Sequence, residues 1–176
     1  MGNDCLVTVD GTDFRIERQT GPGKSWYSHK FHGPGLRYEV GVSILDGNIV
    51  WLNGPYPCGD WSDITIFRLL MMKFLDYGER VEADDGYIGE APKFIKCPKK
   101  DTIVSRAQKK LKSRIRSRHE TVNQRFKQFA ILRDIFRHDI SIHGDVFRAC
   151  MTLVQLQIEH GEPLFSTDEY IDINFE

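Results

Sequence analysis

Three acidic residues stand where chemistry could use them. Asp10 closes the Val- and Leu-containing run CLVTVD, residues 5–10; Asp84 closes RVEAD, residues 80–84; Glu120 lies inside a long basic stretch of helical character. Strand ends on one edge of an α/β sheet open into a shared crevice, and a helix beside them can add a third carboxylate. Three like charges repel unless a cation joins them. Oxygen ligands suit Mg2+ or Mn2+ rather than zinc. Two such ions about 4 Å apart can clamp the attacking and leaving oxygens of a phosphodiester displacement. Plainer readings stand beside this one. Asp10 before Gly11-Thr12 fits an Asx-turn, Asp84-Asp85-Gly86 fits a loop, and Glu120 fits a helix pair with Arg116 one turn earlier.

The charge distribution bears on the choice. The chain has 176 residues and a formal net charge of −1, yet residues 99–127 hold eleven Lys/Arg against two acids, a local charge of +9. Such asymmetry suggests contact with a polyanion; the alternative is a solvated basic helix face. With 40% hydrophobic and 28% charged residues, the composition excludes a disordered chain, a collagen-like chain and a membrane bundle. Length allows one domain. Cys5, Cys58, Cys97 and Cys150 are scattered, with no CxxC pair, so a zinc ribbon and a thioredoxin-type site are not expected. There is no secretion signal, no myristoylation pattern and no apolar run near the ~20 residues of a membrane span. An intracellular chain with reduced thiols is expected, nuclear if the source is eukaryotic.

The elements that must position the acids read as follows. Residues 5–10 form a buried strand, with Phe14 and Ile16 resuming alternation after a turn-like Gly11. Residues 19–35, rich in Gly and Pro, form a loop. Residues 36–45 and 48–53 form a hairpin around Asp46-Gly47, with positive φ at both turn positions. Residues 62–75 carry Ile64, Phe67, Leu70, Met71 and Leu75 at helical spacing, capped by Ser62 or Asp63. Strands follow at 80–84 and 94–97. A long helix covers about 103–133, and a last helix near 145–160 stops at Gly161. The tail from residue 166 is acidic. The order β-β-β-α-β-(β)-α-α defines an α/β class: a mixed sheet with an antiparallel meander, a crossover helix and flanking helices.

Four strings, VDGTDFRI, GPYPCGDWSDITIFR, EADDGYIGEAPKFIKCP and RIRSRHETVNQRFKQFAIL, together resemble the DDE-superfamily endonuclease domain of Harbinger-type and insertion-sequence transposases. The resemblance runs over about residues 10–164. It implies a ribonuclease H-like fold over residues 1–165, ahead of a tail at 166–176. It implies a catalytic, metal-binding triad of Asp10, in the DGT turn, Asp84, opening D-x-G-Y, and Glu120, with Asp63 and Asp85 in support. It further implies two Mg2+ or Mn2+ ions, DNA as substrate, and phosphodiester hydrolysis or strand transfer at DNA ends. Lys109, Lys110, Lys112, Arg114, Arg116, Arg118 and Lys127 are then the DNA-backbone contacts.

Two departures from the family qualify that reading. Such transposases carry a helix-turn-helix region ahead of the first strand. With the first acid at residue 10, the expectation is a catalytic domain without that region, served by a separate DNA-binding accessory protein or acting as a homodimer. Position 13 is Asp where the family often has His, adding negative charge. The alternative function is an inactive, transposase-derived module for binding DNA or protein.

The remaining motifs are plainer. Along the basic helix, positions 113, 116, 120, 124 and 127 share one face, while Val122, Phe126 and Phe129 point toward a core. His119 reads as a surface histidine, His138 and His143 as structural or surface residues, and Tyr38 and Tyr87 as core. Gly33-Pro34-Gly35 lacks the GK[ST] of a P-loop.

Overall fold

A computed structural model of the chain describes residues 5–17, 23–97 and 106–165; within 106–112 only Lys109 has a described side chain. The acidic tail from residue 166 lies outside the described residues. The elements, in order, are β1 (Cys5–Arg15), β2 (Tyr27–Ser28), β3 (Gly33–Ser43), β4 (Ile49–Pro57), α1 (Asp63–Leu69), β5 (Arg80–Glu82), β6 (Ile95–Lys96), α2 (Arg106–Phe126), α3 (Ala130–Arg133) and α4 (His143–Glu159). Short 3-10 turns cover Met71–Lys73, Asp85–Glu90 and Ile140–Ile142. The protein is a mixed α/β fold. Its six-stranded sheet runs β2-β3-β1-β5-β6, and β4 pairs with β3. β1 is antiparallel to β3 and parallel to β5, which is parallel to β6. No described helix is long and apolar enough to cross a membrane.

The alternation of β1 sets both layers. Side chains along a strand point to opposite faces in turn. Thr8 and Phe14 face α2 and α4: Thr8 Oγ1 lies 3.0 Å from His119 Nε2, and Phe14 meets Phe126 and Phe147. Val9 faces the other way, into a cluster with Phe67, Met71, Val81, Ala83, Tyr87 and Ile95. The larger core, on the α2 and α4 side, gathers Phe14, Leu36, Tyr38, Val122, Phe126, Phe147 and Val154. The rings of Phe14, Phe126 and Phe147 lie 5.0–6.5 Å apart, centroid to centroid, the separation at which aromatic pairs attract beyond their burial. Tyr38 Oη bonds His143 Nδ1 at 2.7 Å in that core.

Several expectations are corrected by the fold. Gly11 is no turn: β1 runs through it, so Asp10 lies within a strand and not at its end. The apolar residues beyond it, Phe14 and Ile16, are buried on the same strand direction, which holds the chain extended. β3 begins at Gly33, inside the expected loop. In the β3–β4 hairpin only Gly47 has a positive φ, 75°; Asp46 instead accepts from the Asn48 N–H through its carboxylate. The helix expected over 62–75 stops at Leu69 and gives way to a 3-10 turn. Ser62 occupies the N-cap position but makes no cap bond; its hydroxyl meets that of Thr65. α2 ends at Phe126, short of the expected 133. On α4, Leu153 and Leu156 are exposed rather than core. Val122 and Phe126 are buried, as the helical spacing requires.

Candidate active site

Asp10, Asp84 and Glu120 come from three distant segments and line one cleft of about 340 Å3, with Lys30, Ile115, Arg116, His119 and Asn123. Each is positioned by local geometry. Asp10 projects from β1 and accepts the Gly11 N–H at 2.8 Å. Asp84 follows β5 at the N-cap of the turn Asp85–Glu90 and accepts the Gly86 N–H at 2.8 Å. Glu120 is exposed on α2, one turn after exposed Arg116. Among the described residues, no three His, Cys, Asp or Glu side chains stand at metal-ligating separation. The three carboxylates therefore face a common space without closing around one point.

The opposite face of β1 holds a second polar layer. Asp13 is buried and bound in a fork by Arg37, Nε to Oδ1 at 2.7 Å and Nη2 to Oδ2 at 2.9 Å, while Ser28 Oγ donates at 2.6 Å. Arg37 Nη1 reaches the Trp61 carbonyl at 3.1 Å and Asp63 Oδ1 at 3.4 Å. The extra acid at position 13 is thus answered by its cross-strand partner in register, Arg37. Asp63 opens α1 and lies against Gly11, where a Cβ would overlap its carboxylate. Gly11→Ala is expected to destabilise the fold by about 1–3 kcal/mol, as overpacking does, read as a lower urea midpoint. An unchanged midpoint would show that Asp63 yields freely.

Electrostatics single out Asp10. Burial pushes its carboxyl up to about 7; Lys30 opposes the shift, and the neighbouring charges of Asp84 and Asp63 add to it. Burial also raises Asp63, against Arg37 and Lys30. Burial acts to raise Asp13 as well, but the hydrogen bonds and charge of Arg37 outweigh it and hold the group below the usual range. Burial, ahead of its acidic neighbours, makes the Asp10 anion costly, and a bound cation would relieve that cost. Hard oxygen donors in that setting fit Mg2+ or Mn2+.

The other expected site residues divide. Asp85 opens the turn beside Asp84 and is not among the residues lining the cleft. Lys109 and Arg116 are exposed and Arg114 is half-buried. Lys127 is exposed just past the end of α2. The side chains of Lys110 and Lys112 lie outside the described residues. Arg118 is corrected: it is 3% exposed and bonds Glu82 of β5 at 2.9 Å, so it is no backbone contact for DNA. Ile115, Arg118, His119 and Val122 recur at helical spacing and are all buried, so Arg118 and His119 lie on the inner face of α2. The same geometry buries His119, expected on the surface; burial lowers it to about 3, with Arg118 and Lys30 adding to the shift, and it stays neutral.

Lys30 was not legible in the sequence. It is one of two lysines in the Gly- and Pro-rich segment 19–35, yet its ammonium donates to the Gly11 carbonyl and lines the acid cleft. Arg37 carried a signal, as a charge flanked by buried Leu36 and Tyr38 on a strand.

The fold and site together define a mixed α/β protein with a carboxylate-lined cleft beneath a basic helix. Comparison with protein-family models, with curated proteins and with solved structures gives no match for this chain.

Proposed function

We propose that this chain is a divalent-metal-dependent DNA endonuclease of the DDE superfamily, with a ribonuclease H-like fold. The observation that carries the reading is the gathering of Asp10, Asp84 and Glu120 along one cleft. An antiparallel half, β4-β3-β1, joined to a parallel half, β1-β5-β6, supports the fold assignment.

Asp10, Asp84 and Glu120 would hold Mg2+ or Mn2+. Bound there, the ions supply Lewis-acid activation of the nucleophile and stabilise the departing oxygen. The chain's own residues do the rest. Arg116, on the cleft wall beside Glu120, attracts the phosphodiester as a point of positive charge. Lys30 offsets part of the carboxylate charge from the β1 side. His119 is neutral and tied to Thr8, so it anchors α2 to β1 and leaves proton transfer to solvent.

A supercoiled-plasmid assay tests this. Wild type is expected to nick with Mn2+ and not with EDTA, and Glu120→Gln is expected to lose at least about a hundredfold in rate, the scale of removing one group that acts only in the transition state. Nicking that survives EDTA, or an unaffected Glu120→Gln, overturns the assignment. DNA binding by both proteins with no nicking by either would favour a non-catalytic binding module.

A further inference from the structure

A second cleft, of about 440 Å3, lies next to the acid cleft and shares Lys30 and Asn123 with it. Its other charged lining residues are Arg15, Lys127, Arg133 and Asp13. Asp13 offsets Lys30 in part, but its charge is matched by Arg37, which forks both its oxygens from outside the cleft and leaves the set of bases in excess. Arg15 is exposed and lies 5.2 Å over the Phe31 ring, which fixes the guanidinium at the wall. Lys127 makes no ion pair among the described residues. Arg133 pairs with Asp134 at 3.1 Å, but both side chains are more than half exposed. Such a pair is worth little in water, so a phosphate can replace it.

The polarity changes sharply across the shared wall. The first cleft presents three carboxylates beside Arg116, the second presents Arg15, Lys127 and Arg133 beside the paired Asp13, and Lys30 and Asn123 stand on the wall between them. A strand of nucleic acid crossing that wall would meet both: a scissile phosphate at the acids and a neighbouring phosphate at the bases. We propose that this second cleft is a phosphate subsite, in which Arg15, Lys30, Lys127 and Arg133 hold the phosphodiester backbone beside the cleavage point. The proposal rests on the nuclease reading for which cleft cuts, and on its own geometry for where the strand lies. The subsite positions substrate without regard to sequence, because phosphate contacts carry register and not base identity.

The test is binding in EDTA, so that it does not depend on cleavage. A fluorescein-labelled DNA duplex is titrated with the full chain and followed by anisotropy over a range of salt. The double variant Lys127→Gln, Arg133→Gln is expected to bind about tenfold more weakly and to lower the slope of log K against log salt by about two, since each lost phosphate contact removes about 0.9. Arg148→Gln, an exposed base on α4 outside both clefts, is expected to change neither. Unchanged affinity and slope in the double variant, or an equal loss in Arg148→Gln, overturns the subsite. The two readings fail separately. Loss of slope without metal-dependent nicking sinks the nuclease and keeps the subsite; nicking with an unchanged slope does the reverse.

Discussion

Asp10→Asn is expected to raise the melting temperature of the metal-free protein at pH 8 by roughly 5–10 °C while abolishing Mn2+-dependent nicking. Burial, with Asp84 and Asp63 adding to it, raises the Asp10 carboxyl from 3.8 to about 7. The folded state therefore holds that proton more tightly than the unfolded chain. Its contribution to stability is fully present below the unfolded value near 4 and is lost as pH rises through about 7. At pH 8 the folded protein carries an anion it disfavours by on the order of 4 kcal/mol, of which a neutral amide recovers part. Asparagine has the same shape, can still accept the Gly11 N–H and carries no charge. For a chain of this size 1 kcal/mol is worth about 2–4 °C. Glu39 is also raised to about 7 by burial, but it is common to both proteins, so the difference between them isolates Asp10. Scanning calorimetry in EDTA from pH 5 to 8 should show the two curves parting as pH rises. Added Mn2+ should stabilise wild type and leave the variant unmoved. A variant melting at or below wild type at pH 8 would contradict the account of Asp10 as a half-buried carboxylate whose charge the fold disfavours.

The second large effect concerns Arg118. Its guanidinium meets Glu82 at 2.9 Å with both side chains 4% exposed, and so ties α2 to β5 beneath the acid cleft. Lys96 stands 3.8 Å from the other oxygen of Glu82 and is more exposed. Arg118→Met leaves Glu82 buried without its close partner, which is expected to cost about 3–5 kcal/mol. The double variant Arg118→Met, Glu82→Gln removes both charges and should recover most of that loss, a coupling read from a urea double-mutant cycle. A single-variant loss below about 1 kcal/mol would mean that water reaches the pair. The salt slope of DNA binding in Arg118→Met should equal that of wild type, in contrast to the Lys127 and Arg133 variant.

That contrast shows what the sequence could and could not disclose. The basic stretch, the hairpin around Asp46-Gly47, and the inward placement of Val122 and Phe126 follow from local periodicity and turn chemistry, and they stand. The charge of Arg118 counts in the composition like that of Arg116, but rotation about the helix separates them. One position faces the cleft and the other faces Glu82, a partner distant in sequence. In the sequence Gly11 resembles a turn, which places Asp10 at a strand end. The glycine is there because Asp63 leaves no room for a Cβ on an extended strand. Lys30 gave no pattern at all, since an isolated base in a loop acquires meaning only from the carbonyl and acids that the fold brings to it.

The three cleft acids sit on β1, past β5 and on α2, and β1 pairs with β5 only after the hairpin and α1 have been laid down between them. Long-range parallel pairing forms late, because loop closure opposes it until other contacts exist. A chain in which α2 has not docked lacks Glu120 at the cleft, so under the proposed nuclease function it would hold no complete cutting site. The proposed nicking activity would then act as a checkpoint on completed folding. The same proposed activity would serve as a reporter for fragment complementation: two pieces divided between β6 and α2 would each be silent, and nicking would return only when they reassemble.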